Sequence, residues 1–146
     1  MPSRNPVNQN VYDLVTAVIP DPAAGAQLTW ACPDNARVQI LYLGFIFATD
    51  ANAANRYPTI TATTPAVAQT MAASTIVQTA TLTYGWAFVS ELPELADLSA
   101  QNIVAVPMSP ALILEPGDTL DSYVLNIQAG DAITSIITRY KQWVIA

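Results

Sequence analysis

Histidine is absent from this chain of 146 residues, and cysteine occurs only once, at Cys32. Without histidine, neither a Ser-His-Asp triad nor a Cys-His dyad can form. The histidine-based metal sites of cupin-type jelly-roll enzymes are excluded for the same reason, and a single thiol cannot build a structural zinc site. The sequence therefore predicts a protein that is not an enzyme, with no catalytic residue, no metal and no cofactor. Cys32 lies at the end of a predicted strand, where a small buried apolar residue is its expected role.

Charged residues are also scarce, at 11% of the chain against roughly 25% in a typical soluble domain. A surface with so little charge is typical of a protein that stays packed against neighbours. The five basic residues are Arg4, Arg37, Arg56, Arg139 and Lys141, and the net charge is −6. Binding to phosphates needs clustered Lys and Arg, so we expect no nucleic acid and no membrane among the partners. Because no catalytic site is expected, no small-molecule substrate is expected either.

Long hydrophobic runs are missing as well. The longest, Ile40–Ala48, has about half the length that a membrane-spanning helix needs. The N-terminus is polar and lacks an apolar stretch, so no signal peptide is expected. Residues 1–10 contain two prolines and three asparagines and predict an extended N-terminal arm. Residues 11–146 are long enough to bury one core and predict a single β-sandwich domain.

Turn-forming Pro, Gly, Asp and Asn residues divide this domain into about eight predicted antiparallel strands. The clearest alternation of apolar and polar residues spans Ile76–Val89, where Trp86 and Phe88 fall on the inward side. Short helical turns are predicted over Ala66–Ala73 and Leu92–Ala100. The pattern is typical of an all-β sandwich or jelly roll, and periodicity does not distinguish the two because it carries no strand order.

The predicted strand Arg37–Thr49 is apolar on both sides. Its even-numbered side is Val38, Ile40, Tyr42, Gly44 and Ile46, and its odd-numbered side is Leu41, Leu43, Phe45 and Phe47. A sandwich strand normally buries one face and exposes the other to water. Either a loop or short helix covers the second face, or that face meets another subunit.

The last predicted strand, Ala132–Ile145, places Ile136, Thr138, Tyr140 and Val144 on one side. Its other side carries a less apolar set in which Trp143 is the preferred interface aromatic, because aromatic residues are enriched at protein contacts. The candidate interface residues are Val7, Leu41, Leu43, Phe45, Phe47, Ile137, Arg139 and Trp143.

Four carboxylates lie in or beside two predicted turns, at Glu115, Asp118, Asp121 and Asp131. Their oxygens could bind a hard cation such as calcium, or a carboxylate pair could act in glycoside hydrolysis. The favoured interpretation is that these Asp residues stabilise turns by accepting backbone N–H bonds. Whether Glu115, Asp118 and Asp121 bind a cation stays open at this point.

The C-terminal third resembles the end of small virion proteins of tailed bacteriophages. The matching pieces are Leu112–Asp118, with its Pro-Gly turn, and Ile127–Ile133, with its Gln-Ala-Gly-Asp turn. The resemblance implies a jelly-roll-like domain that acts as a capsid decoration (cement) protein, a head fibre base or another head or tail component. It implies assembly in the host cytoplasm and a place in the virion. The implied partners are the major capsid protein and further copies of the chain itself, as a trimer or other homo-oligomer.

Two alternative functions remain. The first is a head-to-tail adaptor or a tail or fibre component, which composition does not separate from a decoration protein. The second is a carbohydrate-binding β-sandwich for host recognition, which would need an exposed aromatic platform built from Trp30 and Trp143.

Overall fold

The computed structural model of the protein describes residues 11–64, 67–109 and 113–145. These residues form two β-sheets that enclose one core, so the predicted all-β sandwich is confirmed. The strands of the large sheet are β1 Asp13–Ile19, β3 Ala36–Ala48, β6 Thr83–Ser90, β7 Ala96–Leu98, β8 Ile103–Met108, β9 Ile113–Leu114 and β11 Ala132–Val144. The strands of the small sheet are β2 Thr29–Ala31, β4 Tyr57–Thr63, β5 Ala68–Ala73 and β10 Thr119–Leu125.

The strand order is β1-β11-β3-β6-β8-β7 in the large sheet, with β9 pairing to β3, and β2-β10-β4-β5 in the small sheet. The prediction of about eight antiparallel strands is therefore wrong in two respects. The described residues contain eleven strands, and β8 runs parallel to β6. The parallel pair arises because β7 and β8 form a hairpin at the sheet edge, and β8 returns into the place beside β6. A 3-10 turn at Ser99–Gln101 and Asn102, in the left-handed conformation, reverses the chain between them.

The helical turn predicted over 66–73 is wrong, because Ala68–Ala73 forms the edge strand β5 beside β4. The long strand predicted over 76–89 is also wrong in its first half, since the regular strand begins only at Thr83. Residues 74–82 instead cross the end of the sandwich, and Gln78 is fully buried among them. The predicted helical turn at 92–100 contains the short strand β7 and the start of the 3-10 turn.

A β-bulge explains why both sides of β3 look apolar in the sequence. Tyr42 pairs with Arg139 and Ile40 pairs with Tyr140, which leaves Leu41 as an extra residue. An extra residue shifts every later side chain to the opposite face. Before the bulge the inward residues have even numbers, and after it they have odd numbers. The strand thus has a single core face, to which both predicted sides contribute.

The core lies between the two sheets and is built from inward residues of nearly every long strand. Trp86 and Phe88 are buried as predicted, and Cys32 is also buried. The inward side predicted for β11 is confirmed for Ile136, Thr138 and Tyr140, which are buried, and is wrong for Val144, which is 59% exposed at the end of the strand. The largest fully buried apolar side chains are Trp86, Phe47, Phe88, Leu28, Ile40, Leu43, Ile60, Leu114, Leu120, Ile133 and Ile136.

Candidate interaction surface

The outer faces of the two sheets differ in chemistry. On the small sheet, the outward residues of β4 include Thr59, Thr61 and Thr63, and Asp121 of β10 lies between them and Thr29. Asp121 accepts hydrogen bonds from the hydroxyl of Thr63 at 2.9 Å and from that of Thr119 at 2.8 Å. Hydroxyl groups of this kind suit contact with water, and the exposed apolar side chains of this face, Tyr123 and Leu125, lie together at one end of β10.

The outer face of the large sheet is apolar, and strand register arranges it in three rows. The central row is Val18, Ile137, Gly44, Ala87, Ala105 and Ala96. The second row is Thr134, Ile46, Gly85, Ile103 and Leu98. The third row is Thr16, Arg139, Tyr42, Val89 and Pro107. We call these three rows the apolar face.

Several large side chains of the apolar face are open to solvent. Val18 is 77% exposed, Leu98 49%, Ile103 46%, Ile137 42% and Ile46 40%. Single exposed apolar residues are normal, whereas a contiguous patch marks an interaction site. These five residues lie in two adjacent rows, which makes the apolar face the candidate functional surface of this protein.

Gly44 shapes the middle of the apolar face. The ring of Tyr42 lies over it, and a Cβ at position 44 would come within 2.6 Å of the Tyr42 ring carbon Cζ. Glycine therefore lets the tyrosine ring lie against the backbone of its own strand instead of projecting into solvent.

Charge on the apolar face is confined to the margin formed by β1 and β11. Arg139 belongs to the third row. Lys141 pairs with Leu14 in the next row, two residues farther along β11. The Nζ atom of Lys141 lies 4.7 Å from the centroid of the Tyr12 ring, which packs edge-on against Trp143 at 5.7 Å. The three rows contain no carboxylate.

The predicted interface residues are divided between the core and the surface. Leu43, Phe45 and Phe47 are buried in the core of the single chain, with exposures of 0–3%, so they offer no surface to a second subunit. Leu41 is half-buried at the bulge. The expectation that this odd-numbered side meets a partner is therefore corrected: the bulge turns Leu43, Phe45 and Phe47 inward, and after it the even-numbered residues point outward.

The remaining predicted interface residues lie on β11 or outside the described part of the chain. Ile137 and Arg139 are exposed on the apolar face. Trp143 is half-buried against Tyr12 at its margin. Val7 and the predicted arm at 1–10 lie outside the described residues. Sequence reasoning missed Ile46, Ile103 and Leu98, which the pairing of β3 with β6, of β6 with β8 and of β8 with β7 brings into one row.

The carboxylates of the two turns are occupied by local contacts. The Asp118 carboxylate accepts a hydrogen bond from the Glu115 backbone N–H at 2.9 Å, and Gly117 between them has a φ of 87°. This φ is the positive value that a type II turn requires at its third position. Glu115 forms an exposed ion pair with Arg37 at 2.8 Å. These contacts match the turn-stabilising interpretation, and within the described ranges no three acidic, His or Cys side chains are grouped as metal ligands.

A buried ionic cluster at one end of the sandwich was not predicted. Arg56 is fully buried, and its Nε and one terminal nitrogen donate to the two carboxylate oxygens of Asp131, both at 2.9 Å. The same terminal nitrogen donates to Asp50 at 2.7 Å, and the other donates to the carbonyls of Asn52 and Ala54. Every N–H of the guanidinium group thus has an acceptor.

The cluster holds the loop between β3 and β4 in place. Burial raises the pKa of Asp50, but hydrogen bonds from Asn52 and Gly130 and the charge of Arg56 outweigh it and hold that pKa below its usual range. An open depression of about 460 Å³ beside this loop is lined by Ala53, Ala54, Asn55, Thr79 and Ala80. This lining has no charged side chain, so it offers neither an acid–base pair nor a metal ligand set.

The two tryptophans proposed for a sugar platform lie apart. Trp30 packs against the core at 5.1 Å from Tyr140, whereas Trp143 lies at the margin of the apolar face. They do not share one platform. Cys32 donates to the carbonyl of Ala36 at 3.3 Å, and burial together with the nearby carboxylates of Asp118 and Glu115 raises its thiol pKa to about 11. A thiol of this kind is inert at neutral pH.

No protein-family model matches the chain, and no curated protein or solved structure is significantly similar to it. Among the described residues, none belongs to a helix with the length and hydropathy needed to cross a membrane.

Proposed function

We propose that this protein is a non-enzymatic structural protein of a tailed-phage particle, which decorates or cements the capsid through protein–protein contacts. Its partners would be further copies of itself and the major capsid protein. The observation that carries the proposal is the apolar face, because a chain that works in a multi-copy assembly buries such a surface. The resemblance of Leu112–Asp118 and Ile127–Ile133 to the ends of phage virion proteins supports the choice of assembly.

We further propose that the sandwich is a jelly roll. If β7, β8 and β9 are set aside as an insertion, the remaining orders are β1-β11-β3-β6 and β2-β10-β4-β5. Every connection then crosses between the sheets except the one from β4 to β5. Two interlocked Greek keys in an eight-stranded double sheet have this arrangement, and viral capsid domains are among the proteins that use it.

Low charge gives a second, independent line of support. Only 11% of the residues are charged, and the apolar face carries charge only at its margin on β1 and β11. A surface with few long, charged side chains loses little conformational entropy when it packs against neighbours. This composition suits a protein present at high local concentration on a particle.

The experiment is to locate the protein in phage particles purified from the source of the sequence. Quantitative mass spectrometry should find it in the particles, and gold-labelled antibodies should mark the capsid. An abundant host protein from the same lysate serves as the contamination control. The proposal fails if the protein is abundant in infected cells but falls to the level of that control in purified particles.

The same antibody labelling distinguishes a decoration protein from a protein at another position in the particle. Label over the whole capsid surface supports decoration. Label at a single vertex or along the tail supports the head-to-tail adaptor, tail or fibre component instead.

A further inference from the structure

We propose that the apolar face pairs two copies of this chain face to face about a two-fold axis. The proposal rests on the proposed function and deepens it, because it names the partner of that surface. Large and small residues alternate between the central and second rows in a way that suits such a pairing.

Four strands each place one large and one smaller residue in these two rows. The pairs are Ile103 and Ala105 on β8, Leu98 and Ala96 on β7, Ile46 and Gly44 on β3, and Ile137 and Thr134 on β11. On β11 the large residue lies in the central row, whereas on the other three strands it lies in the second row. β6 contributes only Gly85 and Ala87.

A two-fold axis that lies parallel to the central and second rows, midway between these two rows, satisfies this pattern. It sets each strand against the same strand of the second copy, with the central row of one copy opposite the second row of the other. Every large side chain of these four strands then meets a smaller one. Ile103 would lie against Ala105, Leu98 against Ala96, and Ile46 against the flat Tyr42 ring over Gly44. Interdigitation of this kind is how two sheets pack about 10 Å apart, and an isologous interface requires such self-complementarity.

The dimensions of the apolar face fit one interface of ordinary size. Six strands about 4.8 Å apart and three rows about 6.8 Å apart give an apolar area on the order of 600 Å². The axis sets the third row against Ala132, Ala48 and Thr83, one row beyond the second, and these small residues extend the covered area. A stable dimer buries about 800 Å² on each partner, and the four rows together approach that size.

Charge also favours a second copy. The chain carries a net charge of −6, yet the three rows contain no carboxylate that would repel an identical face. The axis separates the two Arg139 side chains by about 20 Å along the strands, beyond the distance over which exposed charges interact in physiological salt. It places each Arg139 near the beginning of β11 in the other copy, where the Asp21 carboxylate accepts a hydrogen bond from the Ser135 N–H.

The first test is sedimentation velocity of the full chain from about 1 to 100 µM. We expect a dimer, and we expect Ile103→Asp to raise its Kd at least about 100-fold because the carboxylate is buried twice per dimer. The matched control is Tyr123→Asp, which changes a 55% exposed residue on the outer face of the small sheet. This control should leave the Kd unchanged, and thermal melting verifies that both variants fold.

The second test distinguishes this pairing from any other use of the face. Ile103→Ala and Ala105→Ile should each weaken the dimer, because each alone breaks the match of large with small. The double variant exchanges the two sizes on one strand and should restore the wild-type Kd to within about threefold. A double variant that is weaker than both single variants overturns the proposed axis.

The remaining outcomes keep this inference separate from the proposed function. A wild-type chain that stays monomeric throughout, with phage particles that bind it but not Ile103→Asp, assigns the face to the shell and overturns the self-pairing. A host glycan that binds the monomer at this face overturns it equally. A dimer that is absent from particles supports the pairing and refutes the proposed function.

Discussion

Replacing Arg56 with methionine is expected to destabilise the protein strongly. The methionine side chain is of similar length but leaves the Asp131 carboxylate without its cation. Asp131 is fully buried, and its remaining partners would be the backbone N–H groups of Asp50 and Gln128, both at 2.8 Å. A buried charge that loses its ion-pair partner costs about 3–5 kcal/mol.

This cost is large compared with the whole stability of a domain, about 5–15 kcal/mol. In urea, where the slope for small proteins is about 1–3 kcal/mol per molar, the unfolding midpoint should fall by about 2 M. The melting temperature should fall by about 10 °C for a chain of this length. Most of the difference should persist at high salt, because the pair is shielded from solvent.

The matched control is Arg37→Met at the other ion pair of the described residues. Arg37 and Glu115 approach as closely, at 2.8 Å, but their side chains are 57% and 50% exposed. An exposed pair contributes about 0–1 kcal/mol, so this variant should melt within a few degrees of the wild type. Equal losses from Arg56→Met and Arg37→Met would refute the reasoning, because burial would then not decide the effect.

Three further predictions concern single groups. Cys32 in the native protein should react with iodoacetamide at pH 8 about 100-fold more slowly than in the urea-unfolded protein, since a pKa of about 11 leaves little thiolate. Native and unfolded rates within tenfold of each other, measured by mass spectrometry, would contradict this. Asp50→Asn should flatten the fall in melting temperature below about pH 4. A carboxyl group whose pKa is lowered in the folded state stabilises the protein above its unfolded pKa and loses that effect as the pH falls. Parallel curves of melting temperature against pH for variant and wild type would count against it. Gly117→Ala should cost about 1 kcal/mol in urea unfolding, with Gly117→Asn costing less, because position 117 has a φ of 87°; equal stability of all three proteins would disprove the strain.

The two-sheet class of the fold could be predicted because it depends on local signals. Alternation on Thr83–Ser90 and Ala132–Val144 and the turn at Gly117 are properties of neighbouring residues. Strand order and the parallel β6–β8 pair depend on contacts between distant residues, and periodicity carries no information about these contacts.

The bulge at Leu41 shows why the candidate interface was only partly predicted. One extra residue in β3 exchanged its two sides, so three expected surface residues became core residues. The sequence signal that could have located the bulge is the apolar character of both sides of β3, because a regular strand that buries one face needs apolar residues on that face only. The prediction of which β11 residues face outward was less affected. Ile137 and Arg139 follow the register shift of this strand at Ser135, and the alternation of inward and outward residues is regular from there to Tyr140.

Residues 76–82 were misread for a related reason. Alternation there reflects a loop that places Gln78 inside the sandwich, where its amide donates to the carbonyl of Phe47 at 2.7 Å and accepts from the indole of Trp86 at 2.8 Å. A buried polar residue of this kind needs partners from other parts of the chain. Arg56, Asp50 and Asp131 illustrate the same limit, since 75 residues separate the arginine from Asp131.

We expect the apolar face to be covered in the assembled protein and the threonine-lined face to stay open to solvent. Hydroxyl-radical footprinting tests it directly by comparing side-chain oxidation at about 1 µM with that at about 100 µM. Tyr42, Leu98 and Ile103 should become protected at the higher concentration, whereas Tyr123 on the small sheet should be oxidised equally in both samples. Equal oxidation of all four residues at both concentrations would contradict it.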